Sequence, residues 1–300
     1  MFGDSINSAT PIRFPSTANL NVDSFDRYDN NPNSISTAAD FTITQQTNIL
    51  NGYFTRLAIV EMVVDWGIPN ITEDAGNNTL SITIGTQTEI VTILNGFYTI
   101  SSVMANLIPS LNAKFTGVGT FSFIGPPGAK WLQCLNGPTT KVDFFVNNTK
   151  LDKQLGFARA PVTPTNPVLD SSAWFVISPY LLPSNFAHLD FVSPQLTYQQ
   201  GLKDATTSTI TRDVLYRWNF AWDDQPQLDA DGYPILQGYT AFAQRRYLSF
   251  PKQIKWTGTQ PLGQLSFQVY DVDGKILQYN SPGSDKYNFE WSMNILVSES

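Results

Sequence analysis

Two Asp-x-Asp-Gly runs, at positions 229–232 and 271–274, are the first residues whose spacing suggests chemistry. Carboxylates two residues apart supply oxygen ligands in calcium-binding loops. A full loop also needs a third oxygen ligand and a glutamate at a fixed distance along the chain, and both runs lack them. Asp-Gly between two apolar alternations is instead a strong signal for a hairpin turn. We therefore predict a turn for the second run and no bound metal at either run, with calcium binding as the alternative.

The chain has one cysteine, Cys134, and one histidine, His188. No internal disulfide can form, and a Cys–His dyad would need these two residues to meet. Both lie in apolar, strand-like sequence, so we expect a packed thiol and a hydrogen-bonded imidazole. The sequence contains no nucleophile elbow, phosphate-binding loop, dinucleotide fingerprint or zinc-protease motif. We predict a protein that is not an enzyme, with no catalytic, cofactor-binding or metal-binding residues and no cofactor.

The charge of the chain argues against one class of partner. A net charge of −7, from 18 basic and 25 acidic residues, disfavours non-specific binding to nucleic acid, which requires clustered lysine and arginine. Only 14% of the residues are charged, compared with roughly 25% in typical globular proteins. A surface of neutral polar groups loses less solvation when neighbours cover it, so this composition favours a protein with extensive contacts.

We expect neither a secretory signal nor a membrane-spanning segment in this sequence. Residues 1–15 contain Asp4 and no apolar segment. No run approaches the roughly 18 apolar residues of a membrane span. We therefore expect a protein made without a secretory signal. Glycosylation acceptor patterns begin at Asn70, Asn77 and Asn147, and without a secretory signal we expect them to be chance matches.

Residues 78–157 predict a small α+β module. Alternating apolar residues predict strands at 79–84 and 89–94, joined by a Gly-Thr turn. From the N-cap Thr99, apolar residues recur at helical spacing, and we expect Pro109 to kink or shorten this helix. The module continues with strand-like segments at 120–124, 131–135 and 142–146 and closes on residues 151–157.

Strands on both sides of this module add up to the number in a single eight-stranded antiparallel jelly roll. The prediction is therefore a mainly β fold: a discontinuous jelly-roll domain at 39–72 and 165–300, with an inserted α+β domain at 73–164. An insertion fits better than two tandem domains, because a count of eight strands requires strands from both sides of the module. The jelly-roll strands are expected near residue 41 and at 54–68, 173–178, 186–192, 214–222, 241–250, 265–271 and 289–297.

Residues 1–38 are predicted to form an extended N-terminal arm, because they are polar and no apolar period holds for long. The arm is acidic, so it lacks the basic character of tails that neutralise nucleic acid. Its aromatic residues Phe14, Phe25 and Tyr28 are the predicted assembly contacts, which would reach a neighbouring subunit. On this basis, deletion of residues 1–35 should leave a folded β domain that assembles less well.

Three patterns in this chain resemble those of one known family. The first is the strand-to-helix segment 94–99, Leu-Asn-Gly-Phe-Tyr-Thr, which leads into Leu107 and Leu111-Asn112. The other two are the closing Leu-Gly-Phe at 155–157 and the C-terminal strand pair at 267–274 and 291–297. In these patterns the chain resembles the penton (minor capsid) proteins of virophages and polinton-like viruses. These viruses belong to the double-stranded DNA lineage whose hexons are double jelly rolls.

The resemblance implies a homopentamer at the five-fold vertices of an icosahedral capsid, surrounded by the double-jelly-roll major capsid protein. It places the protein in the virion, with the inserted domain projecting outward, where contact with the host surface is available. The N-terminal arm would then reach a neighbouring subunit or the capsid underside. The family offers no catalytic residues to carry over.

A second function remains open on the sequence alone. A jelly-roll carbohydrate-binding or receptor-binding module, such as a virion spike or a lectin, would use exposed aromatic residues of the inserted domain. A jelly-roll enzyme is a weaker third interpretation, because metal-using enzymes of this fold need several histidines and the chain has one. The oligomeric state separates the first two functions, since a ring of five favours the capsomer and a trimer favours the spike.

Overall fold

Two facing antiparallel β-sheets form the main body of the chain, as a computed structural model shows. The structure describes residues 17–28, 36–45, 49, 54–118, 120–128, 131–135, 142–143, 151, 155, 174–176, 188–197, 214–220, 227–235, 239–255, 262–272, 274–277 and 287–299. Within these ranges, no helix is long and apolar enough to cross a membrane.

The described elements follow one another in this order. The strands are β1 (Thr17–Asp23), β2 (Asp40–Thr44), β3 (Arg56–Trp66), β4 (Thr79–Ile84), β5 (Gln87–Thr92), β6 (Thr120–Ile124), β7 (Trp131–Leu135), β8 (Val142–Asp143), β9 (Trp174–Val176), β10 (His188–Val192), β11 (Val214–Asn219), β12 (Phe242–Tyr247), β13 (Gln253–Lys255), β14 (Gln264–Tyr270) and β15 (Phe289–Ser298). The helices are a 3₁₀ helix (Ser24–Tyr28), α1 (Ile100–Lys114) and the short α2 (Pro194–Thr197).

The strands of the main body pair in a nested order, the first with the last. β1 pairs with β15, β2 with β14, β3 with both β12 and β13, and β10 with β11, all antiparallel. The two sheets therefore have the strand orders β1-β15-β3-β12 and β11-β10-β14-β2. A long hairpin rolled up in this way is a jelly roll. The mainly β, jelly-roll prediction is confirmed.

The core between the sheets is built from side chains that alternate along each strand, and Trp291 of β15 joins both sheets. Its ring centroid lies 5.6 Å from that of Phe41, 5.2 Å from Phe191 and 5.6 Å from Phe267, all on the opposite sheet. The indole Nε1 donates a hydrogen bond to the carbonyl oxygen of Ala38 at 2.7 Å. The Trp291 ring is therefore buried while its N–H group keeps a hydrogen-bond partner.

Part of the predicted arm at 1–38 belongs to the jelly roll. β1 pairs along β15 from one end to the other, and the 3₁₀ helix continues directly from it. Only Leu20 and Val22 of β1 pack into the core, and an alternation this short does not stand out in a sequence. Deleting residues 1–35 would remove a strand of the first sheet, so we no longer expect a folded domain from that deletion.

Strands β4 to β9 and helix α1 form a module between β3 and β10. In the described residues these strands pair only with one another, in two sheets with the orders β5-β4-β8 and β6-β7-β9. Buried side chains of α1 and of both sheets form a second hydrophobic core, separate from that of the jelly roll. β9 pairs with β7, so the strand predicted at 173–178 belongs to the module, which extends past its predicted end at 164.

Helix α1 begins where the sequence predicts, but it does not end at the proline. The side chain of Thr99 accepts the backbone N–H of Ser102 at 3.3 Å, and the Ser102 hydroxyl accepts the backbone N–H of Thr99 at 2.8 Å. The helix continues past Pro109, so the expected shortening is wrong. Leu107 and Leu111 are fully buried on either side of the proline, and their packing offsets the lost backbone hydrogen bond.

A buried ion pair ties the 3₁₀ helix to the last strand. Nη2 of Arg27 lies 2.5 Å from Oε1 of Glu290, and Nη1 donates to Oε2 at 2.7 Å. The Ser24 hydroxyl donates to the same carboxylate at 2.5 Å and accepts the backbone N–H of Trp291 at 2.9 Å. The Arg27 and Glu290 side chains are only 2% and 15% exposed. An unpaired charge at this position would be costly.

We predict that Arg27→Ala destabilises the fold by about 3–5 kcal/mol, because it leaves the Glu290 carboxylate buried without its partner. Urea unfolding of the purified variant measures the change in the free energy of unfolding. The matched control is Arg56→Ala, which truncates an exposed arginine on β3 and should cost less than about 0.5 kcal/mol. Equal losses in the two variants would show that the ion pair contributes nothing beyond a surface arginine.

Candidate assembly surfaces

Phe25 is the only one of the three predicted assembly contacts whose side chain lies in the described part of the chain. It sits on the 3₁₀ helix with 56% of its surface exposed, and the guanidinium carbon of Arg27 lies 5.4 Å from its ring centroid. Tyr28 ends the same helix, but its side chain is outside the described residues, as is all of Phe14. The role of these residues in assembly stays a prediction.

The first candidate surface is the edge of the jelly roll where β1 and β2 lie opposite each other, the β1–β2 edge. A pocket of about 220 Å³ opens there between the two sheets. Leu20 of β1 and Ile43 of β2 line it from opposite sides, and the exposed Gln45 also lines it. The complete lining is Leu20, Asn21, Val22, Asp26, Ile43, Gln45, Ile49 and Leu265. The pocket is therefore an opening into the apolar space between the sheets.

The β1–β2 edge is also acidic. Asp23 ends β1, Asp26 lies on the 3₁₀ helix, and the exposed Asp40 begins β2. Arg27 is the one cation in the described residues of these three elements, and its charge is neutralised by Glu290. The edge therefore carries a net negative charge.

The second candidate surface is the opposite edge, the β11–β12 edge, where Arg246 of β12 bridges the two sheets. Its guanidinium carbon lies 3.8 Å from the ring centroid of Trp218, and Nη1 donates to the carbonyl oxygen of Asn219 at 2.9 Å. Nε and Nη2 donate to Oε1 of Gln244 at 3.2 and 3.1 Å. Burial lowers the pKa of Arg246, and the neighbouring Tyr216 opposes this change. Arginine remains charged, so Arg246 holds this edge closed by hydrogen bonds and ring stacking.

Two exposed aromatic side chains follow Arg246 along the chain at this edge. Tyr247 at the end of β12 is 68% exposed, and Phe250 in the turn before β13 is 97% exposed. Pro251 follows Phe250 and restricts the backbone of Phe250 to extended conformations. Exposed Arg56 and Lys255 are register partners on β3 and β13. This edge therefore combines exposed aromatic surface with positive charge, in contrast to the β1–β2 edge.

The module is attached to the jelly roll at a junction built on Asn70 and Asn77, which begin two of the three glycosylation patterns. Nδ2 of Asn70 donates to the carbonyl oxygen of Tyr98 at 2.7 Å, and Oδ1 accepts the N–H of Tyr98 at 2.8 Å. Nδ2 of Asn77 donates to the carbonyl oxygen of Asn70 at 2.8 Å, and Oδ1 accepts the N–H of Thr72 at 2.7 Å. Both asparagines are buried, so the fold itself uses their amides. Asn147 lies outside the described residues.

A second attachment comes from the loop between β11 and β12, which contains the first Asp-x-Asp-Gly run. Oδ1 of Asp229 accepts the N–H groups of Asp231 at 2.9 Å and Tyr233 at 3.0 Å, and Oδ2 accepts the N–H of Ser101 in α1 at 3.2 Å. Gly128 of the module donates its N–H to the carbonyl oxygen of Asp231 at 2.8 Å. Tyr233 is buried in the core of the module. The run is therefore a turn that docks this loop on the module.

The second Asp-x-Asp-Gly run is a turn as well. The N–H of Lys275 donates to Oδ1 of Asp271 at 2.8 Å, and the N–H of Gly274 donates to the carbonyl oxygen of Asp271 at 3.0 Å. Gly274 has a φ of +74°, which favours glycine. The turn predicted for this second run is confirmed, and in both runs backbone N–H groups occupy a carboxylate, that of Asp229 or Asp271. The described residues contain no group of three or more His, Cys, Asp and Glu side chains placed to hold a metal.

Cys134 and His188 lie on strands of different parts of the chain. Cys134 is in β7 of the module, and its side chain is outside the described residues. His188 begins β10 of the jelly roll, and its Nε2 lies 3.8 Å from Oδ2 of Asp190. Asp190 also accepts two hydrogen bonds from Arg217, at 2.6 and 2.8 Å. The sheet topology therefore separates the two residues that a Cys–His dyad would require.

Comparison with known proteins gives likeness of structure without a sequence match. No protein-family model matches the chain, and no curated protein matches it. It is similar to the crystal structure of the selenomethionine-labelled mavirus penton protein, with 13% identity, a TM-score of 0.46 and coverage of 96% of this chain and 100% of that chain. It is also similar to a chain in the 3.5 Å cryo-EM structure of the Sputnik virophage, with 12% identity, a TM-score of 0.44 and coverage of 96% and 98%.

Sequence reasoning looked for assembly contacts near the N-terminus and missed the aromatic residues of the β11–β12 edge. The strand predicted at 241–250 includes both Tyr247 and Phe250. The strand in the structure ends at Tyr247, and Phe250 lies in the turn that follows. The signal that could have found this turn is Pro251, because proline interrupts a strand.

We predict that Gly232→Ala loosens the contact between the β11–β12 loop and the module. Gly232 has a φ of +82°, and an added Cβ would lie 2.7 Å from Cβ of Pro127. Gly76→Ala is the matched control, because Gly76 has a φ of +65° with nothing within 4 Å of the added Cβ. Both variants lose about 1 kcal/mol from the left-handed backbone, and Gly232→Ala should lose at least about 1 kcal/mol more from the clash.

Urea unfolding measures these losses, and chymotrypsin cleavage after Tyr239, which the same loop buries in the core of the module, reports whether the loop has left the module. The expected result is faster cleavage in Gly232→Ala than in Gly76→Ala. The same cleavage rate and the same loss of stability in both variants would contradict a tightly packed contact at Gly232.

Proposed function

We propose that this chain is a structural capsid protein that forms a homopentameric capsomer at the five-fold vertices of an icosahedral double-stranded DNA virus. The observation that carries the proposal is a jelly roll with nested strand pairing, interrupted between β3 and β10 by a module with its own core. Jelly rolls occur in viral capsid proteins and also in lectins and cupins. The fold therefore needs support from particular features of this chain.

The attachment of the module supports an outward-projecting part of a shell. The module leaves the jelly roll after Trp66, and Phe242, the register partner of Trp66, follows the docked β11–β12 loop. Both attachments, at Asn70 and at Asp229, therefore lie at the same end of the sandwich. A module held at two points keeps one orientation relative to the jelly roll, as a decoration at a symmetric vertex requires.

The composition supports burial of much of the surface by neighbours. With 14% charged residues, this chain has few charges to desolvate when other subunits cover it. In the proposed capsid these neighbours are copies of this chain and the double-jelly-roll major capsid protein. The protein would then be located in the virion, with the module available to the host surface and no residue assigned a catalytic role.

The main alternative, a carbohydrate-binding or receptor-binding jelly roll, finds less support. Sugar binding would use exposed aromatic rings on the module. In the described residues the exposed large apolar side chains of the module are aliphatic, namely Ile90, Leu94 and Ile124. Among the residues that the structure describes, the exposed aromatic side chains all belong to the jelly roll, namely Phe25, Tyr247 and Phe250. This distribution favours contacts between jelly rolls over recognition by the module.

The test of the proposed function is the mass of the purified chain in solution. We expect light scattering to give five times the 33.4 kDa of one chain, and negative-stain images of the same fraction to show five-fold rings. A trimer would favour the spike. Because some capsomers associate only within the shell, cryo-EM of purified particles is the second measurement. Five-fold vertices occupied by a different protein would contradict the proposal.

A further inference from the structure

We propose that the β11–β12 edge of one copy of this chain binds the β1–β2 edge of the next copy, with Phe250 inserted into the pocket between Leu20 and Ile43. The inference rests on the proposed function, because it names the surfaces through which copies of this chain contact one another in a ring. The occupant of the pocket is therefore a second copy of the chain. Three complementary properties of the two edges carry the inference.

The first property is size and polarity. The pocket at the β1–β2 edge holds about 220 Å³, and a cavity of about 150 Å³ lined by aliphatic side chains is known to accept benzene. Leu20, Ile43 and Leu265 supply the apolar part of the pocket lining, and Asn21, Asp26 and Gln45 supply the polar part. Phe250 is the most exposed large apolar side chain of the described residues, at 97%. A pocket with an apolar wall and an exposed apolar ring therefore lie on opposite edges of the same jelly roll.

The second property is preorganisation. Leu248, in the same turn as Phe250, packs against the core and donates its N–H to the carbonyl oxygen of Val60 at 2.9 Å. Pro251 limits the backbone of Phe250 from the other side. A side chain presented on a turn anchored at both ends loses little conformational freedom on binding. Aromatic residues are enriched at the centres of protein interfaces for their large contact area.

The third property is charge. Asp23, Asp26 and the exposed Asp40 make the β1–β2 edge acidic. At the other edge, Lys255 of β13 is exposed, and so is its register partner Arg56 on the neighbouring strand β3; like charges directly opposite each other on neighbouring strands are unfavourable. An acidic surface of a neighbouring copy would relieve this repulsion. Complementary charges also steer two surfaces into one orientation during association.

Opposite properties on opposite edges make the contact heterologous, head to tail. Contacts of this kind generate a closed ring when the rotation between copies divides a full turn, and each copy then uses both of its edges. An isologous contact would instead bring two basic edges or two acidic edges together. Phe25 lies on the 3₁₀ helix of the β1–β2 edge, so the contact also places this predicted assembly residue at the rim of the interface.

The experiment uses two variants of the full chain that each block one edge at an exposed side chain. Phe250→Ser removes the projecting ring, and Gln45→Arg places a cation and extra bulk at the pocket, facing the basic edge of the next copy. Leu94→Ser is the matched control, because Leu94 is 82% exposed on the module. We expect each blocking variant to weaken self-association about tenfold or more in sedimentation velocity, and the control to associate like the unchanged chain.

Mixing the two blocking variants tests the head-to-tail arrangement itself. Phe250→Ser keeps an intact pocket and Gln45→Arg keeps an intact Phe250, so the mixture should form one-to-one dimers that cannot extend into rings. When the unchanged chain self-associates in solution, normal assembly of either variant alone, or a mixture that forms no dimers, would overturn the inference. Circular dichroism of each variant should match that of the unchanged chain, since both substituted side chains are exposed.

A photo-crosslinking benzoylphenylalanine at position 250 covers the case in which rings form only inside particles. Crosslinks from purified particles that map to residues 20, 43 or 45 of another copy support the inference, and crosslinks to any other protein or segment overturn it. A five-fold ring that survives both blocking variants would overturn this contact and leave the proposed capsomer intact. The described contact in a ring of three or six would overturn the pentamer and leave the contact intact.

Discussion

The packing of Trp291 against Phe41, Phe191 and Phe267 holds the two sheets together, and the rest of the structure depends on it. The four residues belong to β15, β2, β10 and β14, so they come from both sides of the inserted module. Because these contacts join distant parts of the chain, strands before and after the module must meet before a jelly-roll core exists. The chain tolerates a large module at this point because only the ends of β3 and β10 have to stay in place.

The link between the module and the jelly roll is polar, although each part has an apolar core. Asn70, Asn77 and Asp229 make it through short, directional hydrogen bonds to backbone groups. Contacts of this kind fix orientation, because a small rotation breaks several bonds at once. The module and the jelly roll therefore each bury their own apolar side chains, and directional hydrogen bonds join them.

The two edges of the jelly roll differ in how far their edge strands are covered. Arg246 closes one edge by bridging both sheets, while the other edge leaves a pocket between Leu20 and Ile43. Unprotected edges invite association. In the proposed contact, an open and acidic edge opposite a closed edge with exposed aromatic side chains would direct association towards one partner surface. Few of the 18 basic residues of the chain are needed to make one edge basic.

The sequence by itself determined the features whose signals are local. The β4–β5 hairpin, the start of α1 at Thr99 and the alternation of β15 follow from neighbouring residues. The jelly-roll prediction followed from the number of strands that such local patterns indicate. Strand partners could not be read in this way. Leu20 and Val22 give β1 too short a pattern to separate it from an arm, and β9 looks like any other strand until it pairs with β7. Pro109 stays inside α1 because buried neighbours hold the helix. Only the tertiary structure decided these pairings, the junction and the two contrasting edges, because each depends on contacts between residues that are far apart in the chain.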